Sequence, residues 1–400
     1  MRIGVDIRVL MDEHYSGVSE YAANLLSAIL RQDKTNEYKL FYNSWHDLSG
    51  RLNHWSGPNS RVVSTAWPNK IFNYFLQKTL GYPKIDRVLG GVDIFWSPHF
   101  NFTSLDRTAS GPKQIVTVHD LSFLRYPEFF SLRKNCWHKA LGVKKILRSA
   151  SHIVAVSRNT KNDIIELTGI APDKVSVVYS GNNIAKREIS ILEKKEFLDQ
   201  PGLWNKDGEE KAKPFILYLG NIEPRKNISG LIAAFNQLKA DESISARFPE
   251  LKLVLAGAGG WKNKQIYADY ESSPYQNDII FLGYISKKDK EVLYNTGMVF
   301  AYPSYYEGFG FPPLEAMTYG LPVVCSNVSS LPEVVGDAAL MTNPFKIEEI
   351  AAGLGSALGD EEIRNRLIRK GYERAGLFFW DKAAREYLGL FKAVYAEKNK

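Results

Sequence analysis

Short apolar runs, many of them β-branched, alternate with stretches of helical period along the whole 400-residue chain. In the first half the strand-like runs are 3–7, 38–42, 92–96, 114–118, 153–156 and 175–178. In the second half they are 215–219, 252–256, 279–282, 298–302, 322–325 and 338–341. Segments with apolar residues three or four apart lie between many of them, for example 20–30 and 229–238. Buried strands alternating with helices predict βαβ units and a parallel sheet. The series runs twice, which predicts two doubly wound, Rossmann-like α/β domains with ligand loops at the C-terminal ends of their strands. The polar, charged stretch 180–214 has little strand pattern and is expected to hold the boundary. The expected division is an N-terminal domain over 1–190, a linker over 191–213 and a C-terminal domain over 214–380. A strongly amphipathic helix is expected over 377–395.

Composition excludes several classes. With 44% hydrophobic and 24% charged residues, the chain has the balance of a soluble protein with a sizeable core, not of a disordered, collagenous or membrane-bundle protein. No run of about 18 apolar residues is present, and Asp6 and Arg8 interrupt the first apolar run, so neither a spanning helix nor a signal peptide is expected. Two distant cysteines, Cys136 and Cys325, point to a reducing, cytoplasmic setting. The net charge of +7 is uneven. Residues 1–200 hold 27 basic and 19 acidic side chains, a surplus of 8; residues 201–400 hold 24 and 25, a deficit of 1.

The chemistry concentrates in two stretches of the second half. In Tyr305-Tyr-Glu-Gly-Phe-Gly-Phe-Pro-Pro-Leu-Glu-Ala316, a strand runs into a Gly-rich loop, and Pro312-Pro313 suits the first turn of a helix. Such a helix start attracts phosphate. Glu307 and Glu315 frame it, and a carboxylate with two acceptor oxygens suits a vicinal diol. In Leu217-Tyr-Leu-Gly-Asn-Ile-Glu-Pro-Arg-Lys-Asn227, Arg225 and Lys226 follow a strand end, where cations meet anionic ligands. In the first half His119-Asp120 stands at a strand end, also at the inferred crevice. The other histidines, His14, His46, His54, His99, His138 and His152, lack metal-ligand spacing, and no Asp-x-Asp motif occurs.

These motifs, with Ser326-Asn-Val-Ser-Ser-Leu-Pro-Glu-Val-Val-Gly-Asp-Ala-Ala339, resemble the retaining glycosyltransferases of group 4, which have the GT-B fold of two facing domains and use nucleotide sugars. Thr117-Val-His-Asp-Leu-Ser-Phe-Leu-Arg-Tyr-Pro-Glu128 and Ser16-Gly-Val-Ser-Glu-Tyr-Ala-Ala-Asn-Leu-Leu26 resemble the bacterial mannosyltransferase branch that builds surface polysaccharides. The resemblance implies that Arg225 and Lys226 neutralise the donor diphosphate, that Glu307 holds hydroxyls of the transferred sugar and that Glu315 holds the ribose. It assigns phosphate contacts to the backbone N–H groups of Gly310, Phe311 and Leu314, and close approach to the phosphate to Gly17. His119 would meet the sugar near its anomeric carbon, and Tyr284 and Ile285 the base. The segment 381–400 would cross back to the N-terminal domain as a tether that permits closure.

Two departures stand out. Asn221 occupies a position where the family often has Arg, and Pro312 and Pro313 donate no N–H, so more of the phosphate charge should fall on Arg225 and Lys226. The resemblance implies metal-independent transfer without a cofactor beyond the donor, GDP-mannose being the favoured one and a UDP- or dTDP-sugar the alternative. The expected acceptor is a polyprenyl-linked or other growing glycan. A sugar-nucleotide epimerase of the same fold and a non-catalytic partner subunit are competing readings. A dehydrogenase is disfavoured because 3–7 is not followed by Gly-x-Gly-x-x-Gly, and Ala256-Gly-Ala-Gly-Gly260 matches it only in part.

The basic surplus has its own focus. No acid lies between Glu128 and Asp163, where Arg133, Lys134, Lys139, Lys144, Lys145, Arg148, Arg158 and Lys161 occur. Residues 131–149 read as one helix, and 70–84 is basic and aromatic; both suit contact with anionic lipid headgroups at the inner face of the cell membrane. No nucleic-acid-binding motif accompanies the charge.

Overall fold

The computed structural model of the chain describes residues 1–12, 16–78, 81–182, 187–205 and 211–398. His14, Lys186, the charged run 206–210 and the last two residues of the expected C-terminal helix lie outside the described residues. The chain forms two compact units: Met1–Arg125, Arg133–Gly181 and Phe379–Lys400 make up the first, and Tyr126–Leu132 with Asn182–Phe378 the second.

The first unit is built on seven parallel strands in the order β3-β2-β1-β4-β5-β6-β7. They are β1 (Arg2–Asp6), β2 (Glu37–Asn43), β3 (Ser60–Thr65), β4 (Ile94–Ser97), β5 (Lys113–Val118), β6 (His152–Ala155) and β7 (Val175–Val177). The interior strand β1 is buried from Ile3 to Asp6, with Ile3 and Val5 on one face and Gly4 and Asp6 on the other. Gly4 has a steric reason, since a Cβ there would come within 2.9 Å of both Leu89 and Phe95. The one strand absent from the apolar pattern is β3, an edge strand whose Ser-Arg-Val-Val-Ser-Thr sequence is mostly polar and has one buried position.

The basic segment expected as one helix over 131–149 is two, Leu132–Leu141 and Val143–Ser149. Gly142 separates them at φ 64° and ψ 45°, the left-handed region that ends helices. The final helix, Trp380–Lys398, belongs to this unit and is fixed by a buried polar chain. The Tyr387 hydroxyl is 2.8 Å from that of Tyr21 and 2.7 Å from Thr117 Oγ1, to which Trp96 Nε1 donates at 3.0 Å.

The second unit has six parallel strands in the order β10-β9-β8-β11-β12-β13. They are β8 (Phe215–Leu219), β9 (Lys252–Ala256), β10 (Ile279–Gly283), β11 (Val299–Tyr302), β12 (Val323–Ser326) and β13 (Ala339–Thr342). The segment expected as linker contains a helix, Ile191–Asp199, which begins with a capping box between Ser190 and Glu193. Its charged sequence hid the helix, because the polar faces of short helices look like linker. Tyr126–Leu132 also packs within this unit: Phe129 stacks on Tyr305 with centroids 5.7 Å apart, and Trp261 Nε1 donates to the Phe129 carbonyl at 2.7 Å. Among the described residues no helix is long and apolar enough to cross a membrane.

Tyr387→Phe should test the attachment of the last helix. It removes the hydroxyl that links Tyr21 and Thr117 in a buried polar chain, and such a loss costs about 1–3 kcal/mol. Equilibrium urea unfolding should show that decrease; an unchanged midpoint would mean the polar chain contributes nothing to stability.

Candidate active site

The loops after β8 and β11 form the chemical centre of the second unit. Beyond β8 the chain turns at Gly220, and Gly257, at φ 146°, allows the loop after β9 to lie against it. A Cβ on Gly257 would stand 2.0 Å from the Gly220 carbonyl oxygen, so only glycine permits that approach. A single 3₁₀ turn, Pro224–Lys226, then presents both cations. Asn227 closes it in the left-handed conformation, and its side chain caps the helix Ile228–Ala240 by accepting from Gly230 N at 3.2 Å.

Glu307 lies in the loop between β11 and the helix Phe311–Thr318 and is 7% exposed. Lys226 Nζ donates to its Oε1 at 2.5 Å, and Arg225 donates to its Oε2 at 3.2 Å. Arg225 also donates twice to Glu223 Oε1, at 2.9 and 3.2 Å, and once to the Tyr306 carbonyl at 2.6 Å. Lys226 makes a second bond, 2.8 Å to the Tyr302 hydroxyl, which in turn hydrogen-bonds Glu307. Burial opposes ionisation of Glu307, but the charges of Lys226 and then Arg225 outweigh it and hold the carboxyl at about 2. Burial lowers the pKa of the Lys226 ammonium below its ordinary value, and Glu307 works against that lowering. The cluster therefore contains two cations and two carboxylates, with no net charge. Glu307 is an ionised hydrogen-bond acceptor at neutral pH and a very weak base.

Two serines hold the Glu307 loop by its backbone. Glu307 N donates to Ser329 Oγ at 3.0 Å, and Ser330 Oγ donates to the carbonyls of Glu307 and Phe309 at 2.9 and 2.8 Å. Gly310 sits at φ 113°, where a Cβ would also press within 2.7 Å of Leu331, and it caps the helix that Phe311 and Pro312 begin. Leu314 is fully buried one turn on. Glu315 is in a separate set of contacts: Lys290 Nζ donates to Oε1 at 2.8 Å and the Tyr294 hydroxyl to Oε2 at 2.9 Å. Each oxygen keeps a lone pair for a further donor. Tyr284 and Ile285 follow β10 just before the helix Lys287–Thr296; Tyr284 is 62% exposed.

In the first unit, Gly17 and His119 lie beyond the C-terminal ends of β1 and β5. Gly17 is the first residue of the helix Gly17–Gln32, capped by Ser16. A Cβ there meets nothing within 4 Å, so no contact inside this unit demands glycine. His119 Nε2 is 2.8 Å from the Pro98 carbonyl, which only accepts, so Nε2 carries a proton. Burial lowers its pKa, offset in part by that bond and by Asp120. Its ring meets Tyr21 edge-on at 4.6 Å and lies 5.7 Å from that of His99. Burial, then the His119 charge, push His99 down to about 3, and its Nδ1 is buried without a hydrogen-bond partner.

The structure thus brings Arg225, Lys226 and Glu307 into one cluster and adds Glu223, Tyr302, Ser329 and Ser330, which sequence reasoning did not single out. Glu223 and both serines stood inside the quoted motifs, so their proximity in sequence was a usable signal. Tyr302 and the Glu315 partners Lys290 and Tyr294 gave none, because their contacts cross between elements.

Residues 202–374 match the family described as glycosyl transferases group 1, and residues 15–186 match glycosyltransferase family 4. O-antigen chain mannosyltransferase B of Escherichia coli is 32% identical over 288 residues, 70% of this chain and 71% of that protein. The serotype-specific mannosyltransferase WbdA of the same species is 32% identical over 276 residues, 68% of this chain but 32% of that longer protein. Sucrose-phosphate synthase from Thermosynechococcus elongatus has the same fold, with a TM-score of 0.73 at 19% identity over 99% of both chains. Anabaena HepE, solved with UDP and glucose, superposes with a TM-score of 0.71 at 18% identity over 98% of this chain and 100% of that one.

The histidine pair fixes a pH dependence. In the unfolded chain His99 takes up its proton below its ordinary value of 6.5, whereas in the folded chain it stays neutral until about 3. Its contribution is therefore complete above pH 6.5 and is lost as pH falls through that window, by about 1.4 kcal/mol per pH unit per group. Denaturant unfolding between pH 7.5 and 5 should show stability falling with pH, and His99→Gln should flatten the slope. An identical slope in the variant would remove His99 from the account.

Proposed function

We propose that this chain, which belongs to the group-4 glycosyltransferases and has the GT-B fold, is a retaining mannosyltransferase. Its donor in this reading is GDP-mannose, and its acceptor is a polyprenyl-linked or other growing glycan of a bacterial surface polysaccharide, in keeping with its similarity to O-antigen chain mannosyltransferase B. The observation that carries the reading is Glu307, buried and ionised between Lys226 and Arg225. A carboxylate so placed accepts hydrogen bonds from sugar hydroxyls and does not exchange protons at neutral pH. The third N–H of Lys226, beyond the two bonded to Glu307 and Tyr302, is available to a donor oxygen.

The proposed chemistry needs the leaving diphosphate to be stabilised where its charge develops, which is electrostatic catalysis by Arg225, Lys226 and the backbone at Gly310, Phe311 and Leu314. Because Glu307 is too weak a base to serve, the departing phosphate oxygen takes the acceptor proton and attack comes from the same face, without a metal ion. Glu315 takes the ribose, Tyr284 and Ile285 the base, Gly17 the phosphate and His119 the sugar. A UDP-sugar is the second reading, favoured by the shared fold of HepE, which was solved with UDP and glucose. The basic helices Leu132–Leu141 and Val143–Ser149, with Leu132 at 85% exposure and Trp137 at 48%, suit peripheral contact with an anionic membrane at the cytoplasmic face.

Glu307→Ala and Lys226→Ala should each lower transfer from GDP-mannose at least about 100-fold when assayed at a temperature where the variant is still folded, and each should also lose stability because it leaves a buried charge unpaired. Near-wild-type rates in both would sink the site assignment. A thermal-shift panel of GDP, UDP and dTDP and their sugars should show the largest upward shift with GDP-mannose; a larger shift with a UDP-sugar would replace the donor.

A further inference from the structure

The first unit has a cavity of about 300 Å³ at the end of its sheet away from His119. Gln114, which lines it, is the second residue of β5, and His119 follows the last. The two are about 16 Å apart along the strand at 3.3 Å per residue, so the Gln114 side of the cavity lies well away from His119.

Its two halves differ in character. The floor is apolar: Leu76 and Leu141 are buried, and Phe102 and Ile146 are partly so. Arg107 and Lys145 line it as the only charged residues. The Arg107 guanidinium is fixed by neutral acceptors, the Ser149 carbonyl at 2.9 Å, Ser149 Oγ at 3.2 Å and Gln114 Oε1 at 3.3 Å. No carboxylate lines the cavity, and neither cation has an acidic partner among the described residues. The acid-free run between Glu128 and Asp163 supplies the wall formed by the ends of the two basic helices.

We infer that this cavity binds a phosphate ester carrying an apolar chain, its phosphate on Arg107 and Lys145 and its chain on Leu76, Phe102, Leu141 and Ile146. Both halves need covering by one molecule. A bare phosphate would leave the floor wet, and a neutral lipid would leave Arg107 and Lys145, both exposed where they line the cavity, without an anion. The volume is at the lower end for a ligand pocket and suits a headgroup with the first part of a chain. Arg107 keeps its Nε–H and one Nη1 hydrogen for phosphate oxygens beyond the bonds that fix it, and Lys145 adds a mobile point charge. The inference stands whichever sugar the chain transfers, and concerns where an anionic lipid is held.

The test is calorimetric titration of the full chain with dihexanoyl phosphatidic acid below its micelle concentration, beside inorganic phosphate and dihexanoyl phosphatidylcholine. Phosphatidic acid should bind, and the two comparators should bind at least about tenfold more weakly. Arg107→Ala should weaken binding at least about tenfold, the scale of one charge-assisted hydrogen bond. Ala140→Leu fills the cavity from an exposed helix position and should do the same with an unchanged melting temperature; it serves as the test if Arg107→Ala misfolds. Equal affinity for inorganic phosphate overturns the role of the chain, and equal affinity for phosphatidylcholine overturns that of the charge. Wild-type binding in Ala140→Leu, or no binding of phosphatidic acid at all, overturns the site.

Discussion

A carboxylate as buried as Glu307 cannot remain ionised without partners, and much of the second unit's active edge is arranged to meet that requirement. Lys226 and Arg225 come from a turn that only Pro224, a left-handed Asn227 and two permissive glycines make possible. Tyr302 comes from the end of β11, and Ser329 and Ser330 fasten the loop that carries Glu307. The demand runs both ways. Arg225 needs Glu223 and Glu307 as much as they need it, so removing any one of these side chains leaves an uncompensated charge in a poorly hydrated place. The cluster is thus a rigid, mutually dependent unit that presents fixed donors and acceptors to a ligand.

How far the sequence disclosed this can be argued residue by residue. The parallel sheets were legible because strands buried on both faces read as short apolar runs; β3 was not, because its Ser-Arg-Val-Val-Ser-Thr run holds two apolar residues among polar ones. The break at Gly142 was hidden by strong helical period on both sides of it. The helix Ile191–Asp199 was hidden by its charge. At the site, Glu307, Arg225 and Lys226 were legible as types in a turn chemistry that serves anions. Their pairing was not, since opposite charges 81 and 82 residues apart carry no local signal of contact. Two cations read from a motif look like an unopposed positive patch, whereas the folded chain balances them with two acids.

The first unit solves a different problem with its charges. Many of its cations meet acids, as Arg8 meets Asp6 and Arg125 meets Asp163, but beside the two basic helices Arg107 is a guanidinium held by neutral oxygens. The mildly acidic second unit and the basic first unit thus deal with anions in contrasting ways. One pairs Arg225 and Lys226 in a fixed constellation; the other leaves Arg107 and Lys145 without an acidic partner among the described residues, beside apolar surface. Charge counts over half-chains capture this contrast in sign and say nothing of its geometry.

The balanced cluster has a consequence at the close of a reaction cycle. If a diphosphate leaves from Arg225 and Lys226, it does not abandon two bare cations, because Glu223 and Glu307 stand ready to reclaim them. Built-in carboxylates act as competing ligands for the same ammonium and guanidinium. They limit how tightly the spent nucleotide can be held and return the site to the same resting arrangement each time. A pair of naked cations would grip the product harder and turn over more slowly. The acids that seem to blunt the site's attraction for its donor would therefore govern how quickly it becomes free for the next one.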